Sequence, residues 1–473
     1  MDDWAELAPI NDDEPPAEKK PRRQRKRRGM EVTEDGVAQA FTAQHAGKLR
    51  FDHTSRAWYE WAGDHWRRDD TARAFDWCRL IARDHALAAE DKDRSTARRA
   101  SFARGVETFA RADRAHAVTS DTWDADPWLL GSPGVTIDLQ TGEAREPDPA
   151  EGITRRAAVA PDEYESCPGW IQFLEDATGA DGDLMRFLQQ WAGINLTGDT
   201  REHAMCFIHG DGGNGKTVFV NTLAGILADY AQTADMGTFV ASYHDRHPAD
   251  LAALRGARMV TASETEAGRR WNETRIKALT GGDPISARFM RRDFFTFRPE
   301  FKLTITGNNR PALSSVDEAV RRRFCIVPFT RKPPPQKVDP ELEAKLRAEW
   351  PGILRWAING CLDWREHGLI RPRAILDATA DYLSSQDVVG QWLEAECRLD
   401  SHPLTWDTAG ELFDAWSAFA QRAGERPGRR RAFGEQLSKR GLRPDRETVQ
   451  GKTQRIWRGV QLLRDGAAGN EGG

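Results

Sequence analysis

The spacing of apolar positions divides the N-terminal part of the chain into a strand-rich stretch and a helical one. Between residues 31 and 66, clustered aromatic residues separated by polar turns predict short strands whose rings are buried. These aromatic runs are Lys48–Phe51, Trp58–Trp61 and Trp66. Apolar residues at helical spacing then predict helices over 71–88 and 94–112, the second with Ser95 and Thr96 as capping candidates.

Further along, the pattern changes to an alternation of strands and helices. Val135–Leu139 is predicted to be a short strand, and residues 168–197 are predicted to be helical. From residue 204 to residue 329 strands and helices alternate, which predicts a three-layer α/β domain. Its predicted strands cover 204–209, 257–263, 302–306 and 324–329. Pro333–Pro335 then predicts a linker, and helical segments continue to about residue 398.

The C-terminal segment has the pattern of a winged-helix module. Helices are predicted over Thr408–Arg422 and Phe433–Arg440, and Leu442–Leu463 has the pattern of a wing-like hairpin. The hairpin carries Arg446, Lys452, Arg455 and Arg458. In such a module a helix enters the major groove of DNA and the wing contacts the backbone. The alternative is a helical cap that only stabilises the assembly.

Composition restricts the classes of protein to which the chain can belong. It has 473 residues, of which 39% are hydrophobic, and its net charge of -5 leaves nucleic-acid binding to local basic patches. No apolar run is long enough to span a bilayer, and the start is not signal-like, so we expect a cytoplasmic protein without membrane contact. The six cysteines form no C-x-x-C pair, which argues against a zinc module and a disulfide framework.

The first thirty residues have the composition of a disordered tail, with clustered acids followed by a basic run from Lys19 to Arg28. The tail is either an electrostatic arm for DNA or a solvated segment with no fixed task. Because Met30 follows the basic run, translation from Met1 and translation from Met30 are both open.

The most informative motif is a full G-x-x-x-x-G-K-[ST] match between a predicted strand and a predicted helix. It consists of Gly210, Asp211, Gly212, Gly213, Asn214, Gly215, Lys216 and Thr217. Glycines allow backbone N–H groups to surround phosphate oxygens, and the helix N-terminus adds a positive dipole. We expect Lys216 to contact the β- and γ-phosphates of ATP and Thr217 to ligate Mg²⁺.

Acids and an amide follow two of the other predicted strands. Glu264, at the end of the strand over 257–263, is the candidate for the Mg²⁺-linked carboxylate, and Glu266 is the candidate base that orients water. Because the two acids are not adjacent, the division of labour between them stays open. Asn308, after the strand over 302–306, is a candidate γ-phosphate sensor.

Basic residues form two further candidate groups. Arg322 and Arg323 precede the last predicted strand and are either a finger that acts across a subunit interface or part of a surface ion-pair cluster with Asp317 and Glu318. The stretch from Phe289 to Phe297 predicts two short apolar strands with a basic tip, which could hold a phosphate backbone or be an ordinary surface hairpin. The candidate DNA-contacting residues are Lys277, Arg288, Arg291 and Arg292.

Taken in order, these motifs resemble the superfamily 3 helicases, and within them the phage/plasmid primase–helicase family that includes the poxvirus primase–helicase. The motifs are GDGGNGKT, SETE, KALTGGDPISAR, FRPEFKLTITGNNRP and DEAVRRRF, preceded by DADPWLL and by the stretch from Trp191 to Glu202. The resemblance covers residues 105–330 well and the remainder loosely. It implies an AAA+-like core in a hexameric ring, with ATP sites between subunits and DNA, as a single strand or a fork, in the central pore.

The resemblance also implies roles for particular residues. Lys216 and Thr217 would bind phosphate and Mg²⁺, Glu264 would be the Walker-B-type acid, and Asn308 would be the sensor. Arg322 and Arg323 would be the finger candidates, and the basic residues from Lys277 to Arg292 would lie in the region of the DNA-contacting hairpin. The chain carries no primase carboxylate motif before the helicase segment, so a separate primase or replication initiator is an expected partner.

The predicted fold class is therefore an α/β P-loop NTPase with an AAA+-like three-layer core, an α+β N-terminal domain and a C-terminal winged-helix-like module. The predicted segments are a tail over 1–30, a pre-helicase domain over 31–167, an ATPase domain over 168–332, a linker with helices over 333–400 and the module over 401–473. Within the ATPase domain, 168–200 would form a helical collar and 201–330 the P-loop core.

Three functions fit this sequence. The first is ATP-driven unwinding or translocation of DNA during replication of a phage- or plasmid-type element. The second is a P-loop ATPase that remodels or packages nucleic acid without separating its strands. The third is an origin-binding protein that uses ATP only to assemble.

Overall fold

The structure is a computed structural model that describes most of the chain. It covers residues 32–87, 89–241, 249–264, 268–313, 316–334, 338–424, 426–449 and 452–463. The predicted tail over 1–30 and the predicted base Glu266 lie outside these ranges. Among the helices that the structure describes, none combines the length and the apolar character that crossing a membrane requires.

The helices and strands alternate along the chain as follows. The helices are α1 Glu34–His45, α2 Arg73–His85, α3 Asp91–Ala97, α4 Ala100–Ala112, α5 Pro168–Thr178, α6 Gly182–Leu196, α7 Lys216–Leu227, α8 Ala249–Ala252, α9 Glu273–Thr280, α10 Glu318–Arg323, α11 Leu342–Ala348, α12 Trp350–His367, α13 Arg373–Gln386, α14 Val388–Glu396, α15 Ala409–Arg422 and α16 Arg430–Lys439. The strands are β1 Leu49–Asp52, β2 Ala57–Trp61, β3 Trp66–Arg68, β4 Ala117–Val118, β5 Leu129–Ser132, β6 Val135–Asp138, β7 Glu143–Arg145, β8 Met205–His209, β9 Ala231–Thr233, β10 Met259–Glu264, β11 Ile285–Ala287, β12 Phe295–Phe297, β13 Lys302–Gly307, β14 Phe324–Pro328, β15 Cys397–Leu399, β16 Trp406–Thr408, β17 Arg443–Val449, β18 Lys452–Arg458 and β19 Val460–Leu462.

The first of two compact units comprises the described residues up to Glu60 together with Arg68–Ser120. In it α1, α2 and α4 pack around buried apolar side chains, among them Phe41 and Val106. β1 pairs antiparallel with β2 and parallel with β4. The indole of Trp58 donates a hydrogen bond of 2.9 Å to the buried Glu107 carboxylate, so the polar group on this aromatic ring is satisfied inside the core.

Two predictions for this unit were wrong. α1 was not predicted, because it buries only Val37, Ala38 and Phe41 and so has a sparse apolar pattern. Ser95 and Thr96 do not cap a helix that continues to residue 112; they lie inside α3, where the Thr96 hydroxyl donates to the Lys92 carbonyl at 3.0 Å.

The second unit, Trp61–Arg67 and Asp121–Gly473, is built around a five-stranded parallel sheet with the strand order β14-β8-β13-β10-β9. Alternate residues of each strand point to opposite faces of the sheet. Cys206 and Ile208 pack into a core formed with α5, α6, α7 and α12, whereas Met205 and Phe207 pack into a core formed with α9, α10 and α13. Helices therefore cover both faces, which explains why the side chains of β8, β10, β13 and β14 are mostly buried. The predicted α/β class with a parallel sheet is confirmed.

The amino ends of the central strands contain buried charges. Arg258, just before β10, donates to the carbonyls of Leu196 at 2.6 Å and Leu129 at 2.7 Å. Lys302, at the start of β13, is 3% exposed, and its amine donates to the carbonyls of Thr197, Asp199 and Glu300. Burial, followed by the charge of Arg258, lowers the pKa of Lys302 to about 7.

The predicted hairpin is present, but one of its strands was misplaced. β11 and β12 pair antiparallel, with Ile285 opposite Phe297 and Ala287 opposite Phe295. The first strand is therefore Ile285–Ala287, upstream of Phe289 and Met290, and those two residues lie in the exposed connection. Apolar side chains in this connection gave the sequence a strand-like pattern, although they are not buried.

The C-terminal segment has its own core, in which the rings of Trp416 and Phe433 stack at 5.9 Å. Its strands form a three-stranded antiparallel sheet, β16-β18-β17, and a two-stranded pair, β15-β19. α15 begins after Thr408, which forms a capping box with Glu411. α16 begins at Arg430, three residues before the predicted start at Phe433, because the arginines before Phe433 continue the helix.

Candidate functional site

The glycine-rich loop, residues 210–217, lies at the carboxyl edge of the parallel sheet. It follows β8, and β13 lies between β8 and β10. His209 is paired with Gly307, and Gly307 with Glu264, so these residues end three consecutive strands at the same level. Since neighbouring strands are about 4.8 Å apart, the backbones of His209 and Glu264 are about 10 Å apart. Glu264 therefore lies at the same edge as the glycine-rich loop, with β13 between its strand and the strand that leads into the loop.

The backbone of the glycine-rich loop depends on its glycines. Gly213 and Gly215 have φ values of 80° and 85°, in the left-handed region that favours glycine. A Cβ atom on Gly215 would lie 2.6 Å from the ring of Phe173. The Asn214 amide donates to the carbonyl of Phe329, which ties the loop to the chain beyond β14. The loop is thus fixed in a curved path that ends at the first residue of α7.

Lys216 is the first residue of α7, and its side chain folds back over the glycine-rich loop. The residue is 7% exposed, and its amine donates to the carbonyls of Gly210 at 2.6 Å and Asp211 at 3.0 Å and to the side-chain oxygen of Asn214 at 2.8 Å. Burial lowers the pKa of Lys216 from the usual lysine value. The arrangement concentrates a positive charge and the N-terminal amides of α7 at one point, which is the chemistry that binds phosphate.

The residues around Lys216 differ in their exposure to solvent. Asp211, Gly212, Gly213 and Thr217 are exposed, so the outer surface of the loop and the Thr217 hydroxyl can be reached from solvent. Glu264 is 6% exposed. Asn308, directly after β13, is exposed at the same edge. Within the described residues, no group of three or more His, Cys, Asp or Glu side chains could hold a metal ion by itself.

Two residues at this edge were not predicted. His209 ends β8 immediately before the glycine-rich loop, and its pKa is lowered by burial and then by the charge of Arg310. Arg310 lies two residues after Asn308, and its guanidinium carbon is 5.6 Å from the ring centre of Tyr382. The position of His209, one residue before the first glycine of the motif, was the only signal that the sequence offered.

Arg322 and Arg323 are at the opposite edge of the sheet. They end α10, which leads directly into β14, and β14 pairs with β8 from Phe324 opposite Met205 to Pro328 opposite His209. Four steps of about 3.3 Å separate this amino edge from the glycine-rich loop along the strands. The structure therefore does not bring either arginine to the loop of the same chain.

The two arginines also differ from each other. Arg323 is 7% exposed, and its guanidinium donates to the Thr280 hydroxyl at 3.2 Å and the Ala319 carbonyl at 3.0 Å. Arg322 is exposed, and its backbone carbonyl accepts a hydrogen bond of 2.7 Å from the Arg371 guanidinium. Of the two, the side chain of Arg322 is the one that a neighbouring molecule could reach.

The four predicted DNA-contacting residues lie on two elements of the fold. Lys277 is on α9, and its amine forms an ion pair of 2.6 Å with Asp317. Arg288, Arg291 and Arg292 lie in the connection between β11 and β12, where Arg291 and Arg292 are exposed. Lys277 thus lies on a different element from the three arginines of the hairpin.

Known protein families match both the segment before the central sheet and the sheet itself. Residues 38–179 match the D5 N terminal like family, and residues 208–323 match a family of unknown function, DUF5906. A protein of Acanthamoeba polyphaga mimivirus that carries a helicase name, L207/L206, is 24% identical over 300 residues, which are 57% of this chain and 31% of that protein. This chain thus spans about a third of the length of that relative.

Among solved structures, the chain resembles the C-terminal region of NrS-1. One apo structure of that region superposes with a TM-score of 0.51 and another, the A form, with 0.50, each at 11% identity and over 90% of this chain and 99% of the other. At this identity the likeness describes the fold. The two family matches and the mimivirus relative support a relationship to the phage and viral primase–helicase family.

Proposed function

We propose that this chain is an ATP-dependent DNA helicase or translocase of the superfamily 3 type, with an AAA+-type P-loop core, acting in replication of a phage- or plasmid-type element. The observation that carries the proposal is the carboxyl edge of the parallel sheet. There His209, which leads into the glycine-rich loop and Lys216, and Glu264 end their strands at one level, with β13 between the two strands. An AAA+-type ATPase is expected to have one strand, here β13, between the strand that leads into the glycine-rich loop, β8, and the strand that ends at the acid, β10.

The residues at this edge fit ATP and Mg²⁺. The exposed backbone of Gly212 and Gly213 and the start of α7 would hold phosphate oxygens, and Lys216 would exchange its contacts within the loop for the β- and γ-phosphates. Thr217 and Glu264 would hold Mg²⁺, which supplies charge neutralisation on the phosphates. Asn308 would sense the γ-phosphate, and Glu266 remains the candidate for orienting water.

The remaining roles concern partners. Because Arg322 is exposed and lies away from the glycine-rich loop of its own chain, it would act on the ATP of a neighbour in a homo-oligomeric, hexameric ring. The hairpin arginines would contact DNA, and the segment over 401–473, whose two helices precede the β17–β18 hairpin, would serve as a winged-helix module.

The ATPase part of the proposal is tested by Glu264→Gln, compared with the wild type for nucleotide binding and for ATP turnover. An amide cannot replace a Mg²⁺-linked carboxylate, so we expect binding to persist and turnover to fall at least about a hundredfold. Glu300→Gln is the matched control, since Glu300 is a half-buried acid just before β13, at the other edge of the sheet. Normal ATP turnover in Glu264→Gln, or an equal loss of turnover in Glu300→Gln, would contradict the assignment of Glu264 as the Mg²⁺-linked carboxylate.

A further inference from the structure

The connection between β11 and β12, residues 288–294, carries large apolar side chains at the surface; we call it the hairpin tip. Met290 is 72% exposed, Phe294 is 58% exposed and Phe289 is 42% exposed. Exposed apolar residues scattered singly are ordinary, but three within six positions form a patch. Such a patch indicates a contact site for a partner that has an apolar surface.

The backbone of the hairpin tip is held in an uncommon conformation. The N–H of Arg292 donates to the carbonyl of Phe289 at 3.1 Å, which closes a tight turn with Met290 and Arg291 at its centre. Arg291 has a φ of 59°, although it is not a glycine. A residue with a side chain adopts this region only at an energetic cost, and such positions concentrate at binding sites. The turn exposes the side chain of Met290 to solvent.

An aromatic column links the hairpin tip to the protein core. Phe297 is 9% exposed, and its ring lies 6.0 Å from that of Phe295. The ring of Phe295 in turn stacks on Phe289 at 5.5 Å and with an interplanar angle of 23°. Phe289, the outermost ring of the column, is therefore a supported flat surface that is partly open to solvent.

Cationic groups surround these rings. The guanidinium of Arg288 lies 4.8 Å from the ring centre of Phe294, and that of Arg255 lies 5.4 Å from the ring centre of Phe295. Arg291 and Arg292 are exposed beside Met290, whereas Asp293 is the one acid of the hairpin tip. A partner that matches both features must carry regularly spaced negative charges and flat apolar groups. A single nucleic-acid strand has both, whereas a duplex keeps its bases stacked inside.

We propose that the hairpin tip binds the unpaired bases of a single DNA strand, in addition to its phosphates. Phe289 and Phe294 stack on bases, Met290 makes apolar contact with them, and Arg288, Arg291 and Arg292 contact the backbone. This inference rests on the proposed function for the identity of the nucleic acid. It goes beyond that function because it gives the tip a means of distinguishing separated strands from duplex.

The test is to measure by fluorescence anisotropy how tightly the full chain binds an oligothymidine and an abasic strand of the same length and charge. Loss of one stacked base weakens binding at least about fivefold, so the wild type should prefer the oligothymidine by at least that factor. The double substitution Phe289→Ser, Met290→Ser should abolish the preference. It removes no charge, so the slope of log affinity against log salt should not change.

Three further variants separate stacking from loss of structure. Phe289→Tyr should keep the preference because it keeps the ring, whereas Phe294→Leu should reduce it because only the flat surface is lost. Leu376→Ser removes an equally exposed apolar side chain, 50% exposed on α13, and should change nothing. The proposal is overturned if the wild type binds both strands equally or if the double variant retains the preference. A double variant that only forms smaller assemblies, as measured by light scattering, would instead show a contact between copies.

These outcomes are independent of ATP hydrolysis. A chain that prefers the oligothymidine but does not hydrolyse ATP would contradict the proposed function and leave this inference standing. A chain that hydrolyses ATP but shows no preference for the oligothymidine would contradict this inference and leave the proposed function standing.

Discussion

At the scale of single residues, the structure separates side chains that look alike in the sequence. Arg322 and Arg323 are adjacent, but one is exposed and the other donates hydrogen bonds into the protein. Lys216 and Lys302 are both buried, yet Lys216 lies on the glycine-rich loop and Lys302 lies at the opposite edge of the sheet. Sequence reasoning identified Lys216 because its motif is specific, and it took no notice of Lys302, which has no motif.

Lys302 should make the stability of the protein depend on pH. Its pKa is about 7 in the folded state and about 10.4 in the unfolded state, so between these values the unfolded chain binds a proton that the folded chain does not. The free energy of unfolding should therefore rise with pH in this window, by up to about 1.4 kcal/mol per pH unit. Below the folded-state pKa, the destabilisation that comes from burying the Lys302 amine should be at its full size. Urea unfolding at neutral and mildly alkaline pH measures the effect.

Lys302→Met is the control for this prediction, because it retains the length of the side chain without the titrating amine. The difference between wild type and variant should change with pH in the direction just described, whereas contributions from the buried cysteines should cancel. An unfolding free-energy difference that is the same at both pH values would show that Lys302 does not titrate in this range.

At the scale of elements, the core of the α/β domain was predictable and its connections were not. β8, β10, β13 and β14 are largely buried, and their apolar and threonine residues give a strand pattern that can be recognised in the sequence. α1 buries few side chains, so its sequence lacks a clear helical pattern of apolar residues. The hairpin tip has apolar side chains that are exposed, so an apolar pattern there does not indicate burial. The pairing of Gly307 with both His209 and Glu264 depends on strand order, which the local sequence does not encode.

The turn at the hairpin tip gives a prediction about backbone strain. Arg291→Gly and Arg291→Ala remove the same charge, but only glycine adopts a φ of 59° without cost. We expect the glycine variant to be more stable to denaturant than the alanine variant by up to about 1 kcal/mol. Both should reduce the steepness of the salt dependence of single-strand binding by about 0.7, the value for one phosphate contact.

The two readouts of this comparison can fail separately. An alanine variant that equals the glycine variant in stability would show that the turn does not impose the strained conformation. An unchanged salt slope in both would place the phosphate contact on Arg288 or Arg292 instead.

At the scale of the whole molecule, the proposal requires copies of the chain to complete each other's sites. Arg322→Ala should lose most ATP turnover, and so should Lys216→Ala. A mixture of the two should regain activity, because some interfaces then pair an intact glycine-rich loop with an intact Arg322. Steady-state ATPase measurements on the single variants and on the mixture check this.

Arg323→Ala is the matched control for the mixing experiment. The substitution removes the hydrogen bonds that the guanidinium donates to the Thr280 hydroxyl and the Ala319 carbonyl, so it should lower the free energy of unfolding by about 1–3 kcal/mol. If mixing with Lys216→Ala restored activity to Arg323→Ala but not to Arg322→Ala, the assignment between the two arginines would be reversed.

The central claim is that ATP turnover at the carboxyl edge of the sheet drives the separation of DNA strands. It is tested most directly by a strand-displacement assay on forked DNA with ATP and Mg²⁺, in which wild type and Lys216→Ala are compared and ATP turnover is followed in the same reactions. We predict that the wild type releases the displaced strand with DNA-stimulated turnover and that Lys216→Ala does neither. A wild type whose turnover rises with DNA while the fork stays intact would contradict the claim and favour remodelling or packaging, and ATP binding without turnover would favour a role in assembly alone.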